Sequence, residues 1–221
     1  MGIRLMRIEL ERVSKGRGLA LPETSLDFGT GTARLAVAET EQRPTVLGLI
    51  ASGRMRPDTG SVRIDGARDA RAIRRRVALV DAPDVSEPAP NVSVYGVVAE
   101  ELMFAGRGAN PLAARTWLGG MGMSGLARIP IADVAPTDRL RLLLELTVLR
   151  SDVEAVVLVS PDRHGGDPTA WWELAEEFAG RGVGMLVIAG AAAGAVLDGR
   201  AERAERAERA ERAEASMEVA R

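Results

Sequence analysis

Residues 57–66 read PDTGSVRIDG. Pro57, Asp58 and Gly60 carry turn chemistry: proline fixes φ, aspartate hydrogen-bonds nearby backbone, and glycine adopts positive φ with little strain. From Ser61 the chain alternates with period two, so the turn delivers a strand with one buried face. Immediately upstream, residues 46–51, VLGLIA, form the apolar stripe of a helix that stops near Ser52 and Gly53. Residues 5–13, LMRIELERV, alternate in the same way, as does a stretch from Ser25 through Val37, with turn residues at Ser14 to Gly18 between them.

Downstream, residues 77–80, VALV, are a short strand of buried type, followed by a loop holding Pro83, Pro88 and Pro90. A helical, glycine-interrupted segment then extends to about Ile129. Leucines at helical spacing in residues 139–149, RLRLLLELTVL, lead into residues 155–159, AVVLV, an uninterrupted apolar run suited to the centre of a parallel sheet. A helix from Pro168 to Gly180 and a second buried strand, Val183 to Ile188, complete the pattern. Strands alternating with helices predict an α/β domain whose sheet is wound mostly in the parallel sense.

A length of 221 residues suits one sizeable domain, and 46% hydrophobic with 27% charged residues predicts a packed core. The net charge of −2 supplies no field to gather phosphates along a nucleic-acid backbone, so nucleic acid is not an expected partner. Without cysteine there are no disulfides, thiolate ligands or thiol nucleophiles, and a single histidine excludes a His-based metal cluster. The opening MGIRLMRIEL lacks the apolar core of a signal peptide. No uncharged apolar run reaches the ~20 residues of a membrane span, the longest candidate, Gly182 to Leu197, being broken by glycine and small alanine positions. A cytoplasmic location without direct membrane insertion is the expectation.

Residues 201–214 repeat Ala-Glu-Arg, which sets Glu202, Glu205 and Glu208 four positions before Arg206, Arg209 and Arg212, worth ~0.2–0.5 kcal/mol per pair in a helix. A three-residue repeat winds the alanines around the helix and builds no apolar face. The tail at 201–221 is therefore expected to be a solvated helix with no packing role.

The order of these elements, and above all Pro57 to Gly66, resembles the ATP-binding subunit of an ABC transporter over about residues 5–190. ELERVSK at 9–15 is similar to the opening strand of such cassettes, and NVSVYGVVAEEL at 91–102 to the segment after their glutamine loop. The resemblance implies an α/β fold of the P-loop NTPase type, an ABC nucleotide-binding domain with a mostly parallel sheet and a small helical subdomain. It would occupy residues 1–200, with the helical insert at about 84–135 and the repeat tail at 201–221.

The family's chemical positions are altered. Where a P-loop of pattern G-x-x-x-x-G-K-[ST] would turn backbone amides onto phosphates, this chain has Val37-Ala38-Glu39-Thr40-Glu41-Gln42-Arg43-Pro44-Thr45, without a glycine. Arg43 falls at the lysine position and Pro44 at the Mg²⁺-binding hydroxyl; a shift of one residue brings Thr45 to the metal position. Arg43 and Thr45 are thus the candidate nucleotide-binding residues, while Glu39 and Glu41 would repel a triphosphate. Lys15, the single lysine, lies too far upstream to substitute. Asp81 stands for the Mg²⁺-sensing glutamine and is expected to be a turn or cap residue. Asp133 to Asp138 replaces the signature loop, leaving Thr137 or Asp138 to cap the next helix. Ser160-Pro161-Asp162 follows the AVVLV strand where Asp-Glu-Pro is usual, and the end of Gly165-Gly166-Asp167 resembles the D-loop. Ala189-Gly190 takes the place of the switch histidine, and His164 is expected to be an exposed loop residue.

No catalytic residue is therefore assigned, and no cofactor or metal is expected; ATP and Mg²⁺ enter only where the family function is retained. The resemblance implies a non-hydrolysing subunit, structural or regulatory, partnered with a membrane permease or a second ABC domain. Dimer formation and peripheral attachment at the inner face of the cell membrane through that partner belong to the same implication. Two alternatives stand beside it: an ATP-binding subunit active only in a heterodimer with an intact ABC domain, and a soluble scaffold or regulator unrelated to transport.

Overall fold

The computed structural model describes residues 5–39, 43–108 and 110–200, so the repeat tail expected at 201–221 lies outside the described residues. Strand β1 (Arg7–Lys15) runs between β2 (Leu21–Gly29) and β4 (Thr59–Ile64) in a three-stranded antiparallel sheet. Ile8, Leu10 and Val13 bury the inner face of β1. The register shift between Leu10 and Val13, with Arg12 at φ 49°, is a bulge that keeps both on that face.

The PDTGSVRIDG stretch clamps this sheet. Asp58 accepts hydrogen bonds from Lys15 Nζ at 2.6 Å and from the Gly16 amide at 2.8 Å. Gly60 sits at φ 75°, and a Cβ there would lie 2.2 Å from the Glu11 carbonyl oxygen. Asp65 accepts from the Arg7 amide at 2.9 Å and from Arg76 Nη1 at 2.8 Å. Turn residues and strand thus form one device that holds the start and end of β1.

The alternating stretch from Ser25 to Val37 is two strands and not one. β2 ends at Gly29, Thr32 Oγ1 donates to the Gly29 carbonyl at 2.8 Å across a tight turn, and β3 (Ala33–Val37) enters a different sheet. Both strands are half-buried, so alternation continues through the turn and hides it.

The second sheet is parallel, in the order β3-β7-β6-β5, with β5 at Val77–Val80, β6 at Ala155–Val159 and β7 at Gly184–Ala189. Its central strands are buried on both faces. Ala155, Val157 and Val159 join a core with α1 (Arg43–Ala51) and the antiparallel sheet, while Val156 and Leu158 join a core that includes Trp171, Leu174 and Phe178 of α6 (Pro168–Gly180). α2 (Ala70–Arg76) connects the two sheets. α5 (Pro136–Thr147) packs on β5 and α6, α3 (Val94–Phe104) on α5, and α4 (Pro111–Gly120) on α3, so that the two helices of the expected insert stack on α5.

The expected cap of α5 is absent: Ala135 is the N-cap residue with Pro136 following, and neither Thr137 nor Asp138 makes the capping bond. Proline at the first helical position has no amide to satisfy, which lessens the need for a side-chain acceptor. No helix among the described residues is long and apolar enough to cross a membrane.

Candidate functional site

In an open α/β sheet, ligands settle at the carboxyl ends of the parallel strands, where helix amino termini converge. Here that edge is formed by the ends of β3, β6 and β7 and by the start of α1. Ala38 N donates to the Ala189 carbonyl at 2.9 Å, and Ser160 N to the Ile188 carbonyl at 2.7 Å, so the three strand ends stay in register beyond the ladder itself.

Two carboxylates occupy this edge. Glu39 Oε1 accepts from the Ala191 amide at 3.0 Å, and Asp162 Oδ2 accepts from the Gly190 amide at 3.0 Å. A Cβ added to Gly190 would lie 3.0 Å from the Asp162 oxygen and 4.0 Å from the Glu39 oxygen, which places both acids over the same two residues. Residues 191–200 are helical, so these bonds carry negative charge to a helix amino terminus. The amides of Gly190 and Ala191 at this edge are thus engaged by the protein's own acids. The second Asp162 oxygen, Oδ1, is buried without a hydrogen-bond partner.

Arg43 and Thr45 are the first and third residues of α1, and both are half-buried. Arg43 Nε is buried with no hydrogen-bond partner. Pro44 removes one donor from the helix start. Thr40, Glu41 and Gln42 lie outside the described residues. Lys15 is occupied by Asp58 and by the Arg56 carbonyl, at 2.6 and 3.1 Å.

Asp81, at the end of β5, is fully buried and holds an ion cluster that the local sequence does not announce. Arg139 of α5 donates to Oδ1 through Nη2, Arg163 Nη2 donates to the same oxygen at 3.1 Å, and His164 Nε2 stands 2.8 Å from Oδ2. Arg163 also pairs with Glu87 at 2.5 Å. Burial pushes the Asp81 carboxyl up, but the His164 hydrogen bond and the charges of Arg139, His164 and Arg163 outweigh it and hold the group below the usual carboxylate range.

Two expectations are corrected here. Asp81 is more than a turn residue: it takes φ 58° and at the same time anchors two arginines and a histidine. His164 is not an exposed loop histidine, since its side chain is 24% accessible and hydrogen-bonded to the buried carboxylate. Both Asp81 oxygens are taken by this chain's own groups, and among the described residues no group of three His, Cys, Asp or Glu is placed to hold a metal. Asp167 accepts from the Thr169 amide at 2.9 Å and caps α6. The partners in these contacts are far apart in sequence, 152 residues for Glu39 with Ala191 and 83 for Asp81 with His164. No local pattern encodes them.

No family model matches the chain, and no curated protein matches it by sequence. Its fold is nevertheless that of solved ABC transporter cassettes. A nucleotide-free ATP-binding cassette from an ABC transporter superposes with a TM-score of 0.58 at 15% identity, over 84% of this chain and 82% of that one. An ATP-binding cassette of an ABC transporter in its ADP conformation gives 0.58 at 15% identity, over 84% and 81%. The ATP-binding subunit of another ABC transporter gives 0.56 at 16% identity, over 83% and 79%. This likeness establishes the α/β cassette fold with its parallel four-stranded sheet.

Proposed function

We propose that this chain is an ABC-cassette-like subunit that neither binds ATP productively nor hydrolyses it, and that it acts as a structural or regulatory partner of a membrane permease or of a second cassette. The observation that carries the reading is the pair Glu39 and Asp162 on the amides of Ala191 and Gly190. At the strand edge where a triphosphate would need donors and cations, the protein supplies two anions that have taken the Gly190 and Ala191 amides. Phosphoryl transfer depends on positioning and charge neutralisation, and like charge at the phosphate position opposes both. The β3–α1 connection, with no glycine and with Pro44 next to Arg43, supports the same reading.

The permease or second cassette follows from the fold likeness, and with it a dimeric arrangement and peripheral attachment through the partner. Equilibrium binding of a fluorescent ATP analogue, with and without Mg²⁺, tests the nucleotide half of the proposal. No saturable binding in the micromolar range is expected. Micromolar affinity lost on replacing Arg43 with alanine would sink it. Co-purification with a membrane permease or with a second cassette tests the partner half.

A further inference from the structure

At the opposite end of the parallel sheet, beneath the start of β5 and the approach to β6, lies an open cavity of about 380 Å³ lined by Arg54, Arg74, Arg75 and Arg150. Asp152 is the one acidic residue in its lining, and Phe104, 59% exposed, stands at its rim. A further acid, Glu101, lies close enough to feel the charge of Arg150.

What distinguishes this cluster is how the arginines are held. Arg54 Nη1 donates to the carbonyls of Ser52 at 3.1 Å and Val77 at 3.0 Å, and Arg74 Nη1 donates to the Gly53 carbonyl at 2.9 Å. Arg150 Nε donates to the Thr147 carbonyl at 3.4 Å. Carbonyl oxygens fix a guanidinium in place but do not cancel its charge, and each side chain keeps further N–H groups to offer. Burial, then the like charges of Arg150 and Arg74, lower the Arg54 guanidinium below its ordinary value. Several cations are therefore gathered in one place, with Arg54, Arg74 and Arg150 held in advance by carbonyl oxygens. Such an arrangement is relieved by an anion that several guanidiniums can grip at once, and phosphate oxygens match the guanidinium fork.

We propose that this cavity is a binding site for a phosphate-bearing anion, with Arg54, Arg74, Arg75 and Arg150 as its donors. It lies at the amino-terminal ends of the strands, away from the edge where Glu39 and Asp162 sit, so it is independent of the nucleotide reading. A free polyphosphate and the headgroup of an acidic phospholipid share this chemistry, and Phe104 at the rim suits either a soluble anion with an apolar arm or a lipid.

The test is a titration of the full chain with inorganic pyrophosphate, without divalent metal, followed by backbone amide chemical shifts. Saturable shifts are expected at residues 53–54, 74–77 and 150–153, weakening as salt is added. Arg75→Gln removes one exposed cation of the cluster, and it is expected to weaken binding about tenfold while the remaining spectrum stays unchanged. Arg115→Gln, on the exposed face of α4, removes the same charge elsewhere and is expected to leave affinity unaltered. In a second arm, sedimentation with vesicles of phosphatidylcholine containing phosphatidic acid identifies a lipid source if binding falls in both Arg75→Gln and Phe104→Ser. Pyrophosphate binding without vesicle binding identifies a soluble source. Absence of saturable shifts together with absence of vesicle binding overturns the proposal, as does affinity indifferent to Arg75→Gln. Shifts confined to residues 37–39, 160–162 and 189–191 would also overturn it, and would count against the proposed loss of nucleotide binding as well.

Discussion

Asp81 shows how a carboxylate at the end of a strand can be held inside the protein by groups distant in sequence. A carboxylate with no accessible surface is tolerated because Arg139, Arg163 and His164 surround it, and removing its charge leaves the buried Arg139 without compensation. Asp81→Asn is expected to destabilise the protein by about 3–5 kcal/mol, measured by denaturant unfolding. Its folded carboxyl lies below the ordinary value, so its contribution is present above the unfolded pKa of about 3.9 and is lost as pH falls through the folded one. The wild-type protein should therefore lose stability below about pH 4 more steeply than Asp81→Asn. Parallel acid limbs for the two proteins would show that the cluster is not responsible. The sequence places Asp81 at the end of a strand and carries no sign of its three partners.

At the scale of elements, the turn before β4 is the clearest link from residue type to geometry. Gly60 needs both positive φ and the absence of a Cβ, because a methyl would strike the Glu11 and Arg12 carbonyls at 2.2 and 2.3 Å. Gly60→Ala is expected to cost more than ~1 kcal/mol, read as a lowered denaturant midpoint; a neutral outcome would mean that β1 and β4 can separate without penalty. α1 depends on a close approach of another kind, with a Cβ at Gly48 falling 2.7 Å from Val159 Cγ2 of β6. Gly48→Val should overpack this contact by about 1–3 kcal/mol, again measured by unfolding. Most elements were legible from periodicity, because burial on one face or both leaves its mark every second or every third to fourth residue. The division of Ser25–Val37 into β2 and β3 was not legible, since a tight turn between two half-buried strands does not interrupt the alternation.

For the molecule as a whole, the parallel sheet belongs to two cores. Trp171 lies in the core on one face, with Trp117 and Trp172 packed against it, while Ile50 of α1 lies in the core on the other. Because alternate residues of β6 serve both, the halves should unfold together. Ile50→Ala is expected to lower the unfolding free energy reported by tryptophan emission by about 2–5 kcal/mol, although no tryptophan belongs to its core. An unchanged tryptophan transition would show that the faces unfold separately. The same whole-molecule arrangement places the Glu39–Asp162 edge and the arginine-lined cavity at opposite ends of the strands, so ligand binding at one can be examined without disturbing the other.

By itself the sequence determined the alternation of strands and helices, the turn chemistry at residues 57–66 and the absence of glycine from residues 37–45. Each is a local property, set by side-chain periodicity or by the residue types a backbone conformation admits. Only the tertiary structure decided where the charged groups go: that Glu39 and Asp162 take the amides at the strand edge, that Asp81 is buried among Arg139, Arg163 and His164, and that four arginines converge beneath β5. Charge pairing is decided by proximity after the chain has folded, and no spacing along the sequence carries that information.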